Sequence, residues 1–371
     1  MYVIFSTSRC KMKSSVKIVL STIALFSIVG ISVGLALGLR SNTTYETEVM
    51  PDSSKFPFKE YEEVSQGPVD PFFIYQTTQD TSDVSYLTNI TSLVPTIPTV
   101  RTSTTGIHVP IWWDDFNGTE LNKNTWDVPD GGSQSGWGND EIQTYYGANV
   151  AVENGYLYII SKREESGEWS SGRVSTKGAW YPGMNLPSYG TATKIYFEAK
   201  ITVPDSGTGL WPSFWAFPSG SEYGKFSQSG ALDIMELRDD YGNLTQGIHY
   251  GGERPANKKT MVRVGDMEPG FTLANKTFIF SVEWSNTDIV FLWNGVETGR
   301  LAPRALDEKY GWYSDAAPGN VNAPFDKPFY AVFNIAVGGI FPSKPADNTP
   351  SRGVMAVDYF RVYADYIDVS S

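Results

Sequence analysis

Cysteine is almost absent from this chain of 371 residues, the single one being Cys10. One thiol cannot close an intramolecular bridge, so a small disulfide-stapled scaffold is excluded and stability must come from core size. Cations are scarce too: 29 Lys and Arg stand against 41 Asp and Glu, for a formal net charge of −12. Binding a phosphate backbone needs clustered Lys and Arg, so no nucleic acid partner is expected, and neutral or polyhydroxyl ligands fit better. No repeat of about 20–50 residues is visible, which argues against propellers and solenoids. Beyond the N-terminal region no convincing amphipathic helix pattern appears, which leaves strands.

What is present first is an apolar run. Ile18–Leu39, about 22 residues without a charge, is long enough at about 1.5 Å per residue to cross a hydrocarbon core of about 30 Å. Cleaved signal peptides have shorter apolar regions, of about 7–15 residues, so an uncleaved signal-anchor helix is expected. Arg9, Lys11, Lys13 and Lys17 precede the run, and Glu46, Glu48 and Asp52 follow it. Positive charge stays on the cytoplasmic side, which predicts a single-pass type II membrane protein with tail 1–17 inside and the remainder extracellular or luminal. Gly30, Gly34 and Gly38 recur on one helix face, a small-residue pattern through which two copies can pack as a homodimer. Cys10 lies beside the anchor, where thiols are either plain or reversibly palmitoylated. Glycosylation sequons at Asn42, Asn89, Asn117, Asn243 and Asn275 all fall beyond the anchor, in agreement with that topology.

Residues 40–106 are rich in Ser, Thr and Pro and read as a flexible spacer, with the aromatics between Phe56 and Tyr75 as an exception able to dock on a domain. From about residue 107 to 366 the pattern becomes short alternating runs bounded by Gly, Asn and Pro, with 367–371 left as a tail. Tyr156–Ile160, Thr193–Thr202, Phe278–Trp284, Val290–Trp293 and Val354–Tyr363 are period-two strands, and together they predict an all-β sandwich. Within Gly230–Leu237, Asp233 and Glu236 sit in an apolar strand. A regular strand puts Ala231 and Asp233 on one face and Glu236 on the other, whereas one β-bulge returns Glu236 to their face.

That stretch resembles the Glu-x-Asp-x-x-Glu signature of the laminarinase-type branch of glycoside hydrolase family 16. The resemblance extends over roughly Ile111–Tyr363 through Trp113–Leu121, Gly136–Gln143, Ser171–Val174, Gly209–Trp215, His249–Gly252 and Val357–Tyr363. It implies a concanavalin-like jelly roll with Glu236 as acid/base and Asp233 as its helper. The nucleophile position holds Ala231, whose methyl group cannot attack carbon. By the same resemblance Trp211 and Trp215 line the donor side, Trp137, Asn139 and Arg173 contact sugars further along, and His249 lies near the cleavage point. Aromatic faces for pyranose rings and fixed polar groups for hydroxyls are what sugar binding requires. A Trp-Pro pair common before the family signature is replaced here by Phe226-Ser227. No cofactor is required, and family members often hold a structural calcium, which maps to Asp358 and the Gly155 carbonyl.

Three functions follow as alternatives. The first is a membrane-tethered β-1,3-glucan or mixed β-glucan binder that has lost hydrolysis, since retaining cleavage needs two carboxyls about 5–5.5 Å apart. The second is an active β-glucanase or transglycosylase with Ala231 compensated from elsewhere. The third is a surface protein with a vestigial cleft.

Overall fold

The computed structural model describes residues 106–131, 137–187, 189–253, 256–264 and 272–367, and the backbone of Lys59–Glu63 and Arg101–Ser103. The run Ile18–Leu39, with Gly30, Gly34 and Gly38, and Cys10 ahead of it lie outside these residues. Among the described residues no helix is long and apolar enough to cross a membrane.

Period-two patterning becomes two stacked sheets. One has eight strands: β1 (Lys59–Glu63), β2 (Trp126–Asp127), β3 (Arg173–Thr176), β4 (Leu210–Pro218), β5 (Ala231–Glu236), β6 (Leu244–Gly251), β7 (Asn257–Val264) and β8 (Phe329–Val337). Their spatial order is β1-β7-β6-β5-β4-β8-β3-β2, and every neighbouring pair is antiparallel. The other sheet has twelve strands, centred on Gly190–Thr202 and Arg352–Ile367, which pair from Thr191↔Ile367 to Thr202↔Ala356.

Alternation decides which side chains meet between the sheets. In β8, Phe329, Ala331, Phe333, Ile335 and Val337 enter the main core, while Tyr330, Val332, Asn334 and Ala336 take the opposite face. In β4 the core positions are Leu210, Phe214 and Ala216. Phe214 stacks on Phe333 with centroids 4.5 Å apart and rings inclined by 2°, and Phe360 from the second sheet closes on both. Burying such a side chain stabilises by about 1.5–3 kcal/mol, which suits a fold with no disulfide among the described residues.

Two pieces of the stretch read as spacer are strands. Arg101–Ser103 pairs with Gly106–Asp114, and β1 pairs with β7. The reason is the edge: an outermost strand leaves a row of open N–H and C=O groups that an extended segment of any composition can satisfy.

Candidate functional site

The second face of the eight-stranded sheet carries the chemistry, and a bulge in β5 creates it. Against β6, Asp233 aligns with Gly247 and Glu236 with Thr245, so three steps along β5 match two along β6. Against β4, Trp215 aligns with Asp233 and Phe214 with Met235. Ile234 and Met235 are both buried in the main core, and Glu236 thereby returns to the face of Ala231 and Asp233. Asp233 Oδ2 lies 2.8 Å from His249 Nε2, and Trp211 Nε1 donates to Glu236 Oε1 at 3.1 Å. Burial, and then the nearby Asp233 charge, hold the Glu236 carboxyl well above its ordinary range, which favours its protonated form.

Ala231 pairs with His249 across β5 and β6. Its methyl is buried in a small apolar cluster with Phe217 and Val332, against which Trp215, Phe226 and Tyr330 pack. Phe226 stacks on Phe217 at 5.9 Å and meets the His249 ring at 5.2 Å. The segment bearing Phe226 is fastened on either side: Tyr223 donates to Asp326 at 2.8 Å, and the Ser227 hydroxyl donates to the Tyr250 carbonyl at 3.2 Å. His249 Nδ1 is buried and has no hydrogen-bond partner among the described residues.

Strand register places the remaining expected residues. Glu236, Ser213, Asn334 and Arg173 are successive partners across β5, β4, β8 and β3. Three interstrand steps of about 4.8 Å put Arg173 about 14 Å from Glu236 along one row. The Arg173 guanidinium lies 5.0 Å from the Trp215 ring, 5.4 Å from Trp137 and 5.9 Å from Tyr145. Asn139, in the adjoining segment, bonds Glu141 through its amide and Ile340 through its carbonyl. Trp137, Asn139 and Arg173 thus gather at one end of the row and Trp211, Glu236, Asp233 and His249 at the other, with Trp215, aligned with Asp233 and its ring against Arg173, between them. A groove with ring faces and fixed polar groups takes an extended polyhydroxyl chain.

Asp358 and Gly155 belong elsewhere. Gly155 is in the turn between Val150–Glu153 and Tyr156–Arg163, and Asp358 is in the second sheet. The Asp358 carboxylate is paired with Lys200 at 3.1 Å, and no group of three His, Cys, Asp or Glu converges among the described residues. A calcium ion there would have to displace the lysine ammonium and gather its other oxygens from main chain and water.

No protein-family model matches the chain. It is 35% identical over 276 residues to glucan endo-1,3-beta-glucosidase A1 of Niallia circulans, covering 69% of this chain and 38% of that protein. It is 32% identical over 259 residues to the glucan endo-1,3-beta-glucosidase of Cryptopygus antarcticus, covering 67% of this chain and 87% of that protein. The chain belongs to the laminarinase-type endo-1,3-β-glucanases of glycoside hydrolase family 16. Its fold is similar to the endo-β-1,3-glucanase from Pyrococcus furiosus, with a TM-score of 0.60 and 25% identity over 73% of this chain and 100% of that one. The chain spans little more than a third of the Niallia relative's length.

Within this laminarinase-type cleft several residues were not singled out from sequence. Asn334 donates to Tyr145 and accepts from Trp215, linking two walls of the groove. Its signal was there to read, as the lone amide in the otherwise apolar strand Phe329–Val337. Phe341 packs against Trp211 with centroids 5.0 Å apart and rings inclined by 46°, under the Arg238 guanidinium, and nothing in its local pattern marks it. Glu141 lies inside the recognised Gly136–Gln143 stretch, hidden by its better-known neighbours.

Proposed function

We propose that this protein is a membrane-tethered, extracellular β-glucan receptor, binding β-1,3-glucan or mixed β-glucan through a laminarinase-type cleft that no longer hydrolyses it. The observation that carries the reading is Ala231. The position that resembles the family nucleophile holds a methyl group, packed against Phe217, Phe226 and Val332. Retaining cleavage needs a second carboxyl about 5–5.5 Å from the acid/base, and Asp233, the nearest substitute on that face, is engaged by His249. Binding survives such a loss, because hydrolysis depends on interactions made in the transition state while ground-state contacts come from the whole groove.

The groove supports that division. Trp215 and Trp137, with Arg173 between them, offer sugar faces that do not depend on a carboxyl at position 231, and Glu236 and Asp233 remain as hydrogen-bonding groups. No step of this reading uses a metal. The test is a laminarin titration of the full-length protein against Trp215→Ala. Wild type binds and the variant loses at least about tenfold in affinity, as expected for removal of a stacked platform. Equal binding by both, or by neither, sinks the proposal.

A second reading, residual hydrolysis, is favoured by one feature: burial and the Asp233 charge shift Glu236 toward the protonated form that a general acid needs. It requires Asp233 to leave His249 and reach the sugar. Product release from laminarin that disappears in Asp233→Asn would establish it.

A further inference from the structure

Glu141 is a partly buried carboxyl at the end of the groove remote from Glu236, and the neutral side chains that bond to it in the described structure do so as donors. Gln143 Nε2 donates at 2.8 Å, Asn139 Nδ2 at 3.4 Å and the Tyr145 hydroxyl at 3.5 Å. Arg173 adds a favourable charge from β3. Two of these donors are thereby fixed end to end. Gln143 turns its amide oxygen to the Val337 N–H at 2.7 Å. Tyr145, with its proton directed at Glu141, accepts from Asn334 Nδ2 at 3.1 Å. Asn334 then has its carbonyl oxygen free to accept the Trp215 indole N–H, at 2.8 Å. One directed chain of hydrogen bonds runs from Glu141 to the ring that stands under Arg173.

We propose that Glu141 is a positioning residue for this subsite: as a carboxylate it sets the direction of the chain through Tyr145 and Asn334, and so holds Trp215 and Arg173 ready for a sugar ring. The proposal rests on the glucan-binding reading for its ligand. Its structural half does not.

Protonation breaks the arrangement, because a carboxyl O–H introduces a donor where the neighbouring groups already donate. Burial drives Glu141 toward that neutral form, against the opposing pull of Gln143, Arg173, Asn139 and Tyr145, and its carboxyl is raised to about 7. The charged or titratable groups facing it are Arg173 and Tyr145. The phenol is pushed well above its ordinary range, so it keeps its proton while Glu141 titrates.

The indole N–H resonance of Trp215, assigned by its loss in Trp215→Phe, is followed by NMR in the ligand-free full-length protein as pH is varied. Wild type shifts with a midpoint near neutrality, Glu141→Gln shows no such transition, and Tyr145→Phe, which cuts the chain but keeps the carboxyl, uncouples the indole. A laminari-oligosaccharide then binds wild type about tenfold more tightly above the midpoint than below it, and Glu141→Gln keeps the weaker affinity at every pH. An indole that moves identically in wild type and Glu141→Gln overturns the proposal, as does wild-type affinity and pH profile in that variant. If the indole titrates as expected and no oligosaccharide binds at any pH, the glucan reading falls while the positioning role of Glu141 stands.

Discussion

At the scale of single residues, the cleft is governed by carboxyls whose protonation burial controls. The Glu236 carboxyl is raised above its ordinary value of 4.5, so in the folded state the neutral form is favoured. A carboxyl raised on folding contributes stability below its unfolded value, and that contribution is lost as pH rises through the folded value. Glu236→Gln mimics the neutral form, and its stability relative to wild type is therefore expected to grow between acid and neutral pH. Denaturant midpoints of the two proteins at about pH 4 and pH 8 check this; a difference that shrinks with rising pH contradicts it. Much at this scale was legible in advance. The apolar flank of Asp233 and Glu236 marked a site, and the bulge that unites them was implied by their odd spacing. Phe226 was harder, because a ring folded over Ala231 is a product of tertiary packing, and Asn334 showed only as a lone amide in an apolar strand, with no sign of the two walls it bridges.

Among elements, β5 and β6 set the geometry, and both depend on close backbone approach. A Cβ at Gly247 would lie 2.5 Å from the Thr260 carbonyl oxygen and 2.9 Å from Met261 Cα, so any side chain there forces β6 and β7 apart. Gly247→Ala is expected to cost about 1–3 kcal/mol, as overpacking does, read as a fall in Tm; an unchanged Tm shows that the strands separate freely. The strands themselves were foreseen from alternation, whereas Arg101–Ser103 was not, because a Ser/Thr/Pro-rich stretch hides a pairing whose energy lies in main-chain hydrogen bonds; β1 falls in the Phe56–Tyr75 stretch set apart as able to dock.

For the whole molecule, two sheets and one aromatic seam do the work that disulfides do elsewhere. Phe360, fully buried between Phe214, Phe333 and Phe197, is the seam's centre. Phe360→Ala is expected to destabilise by about 3–5 kcal/mol in equilibrium unfolding, and a loss under about 1 kcal/mol would mean that the core collapses around the gap. A reducing agent is expected to leave Tm unchanged, because the sequence holds one cysteine. The sandwich and the family were readable in the sequence because the motifs recur in order along the strands. The direct measurement is product release from laminarin by the purified full-length protein beside Ala231→Glu. The account predicts none from wild type, with binding retained, and hydrolysis from the variant once the second carboxyl is restored; turnover by wild type that Glu236→Gln abolishes would contradict it.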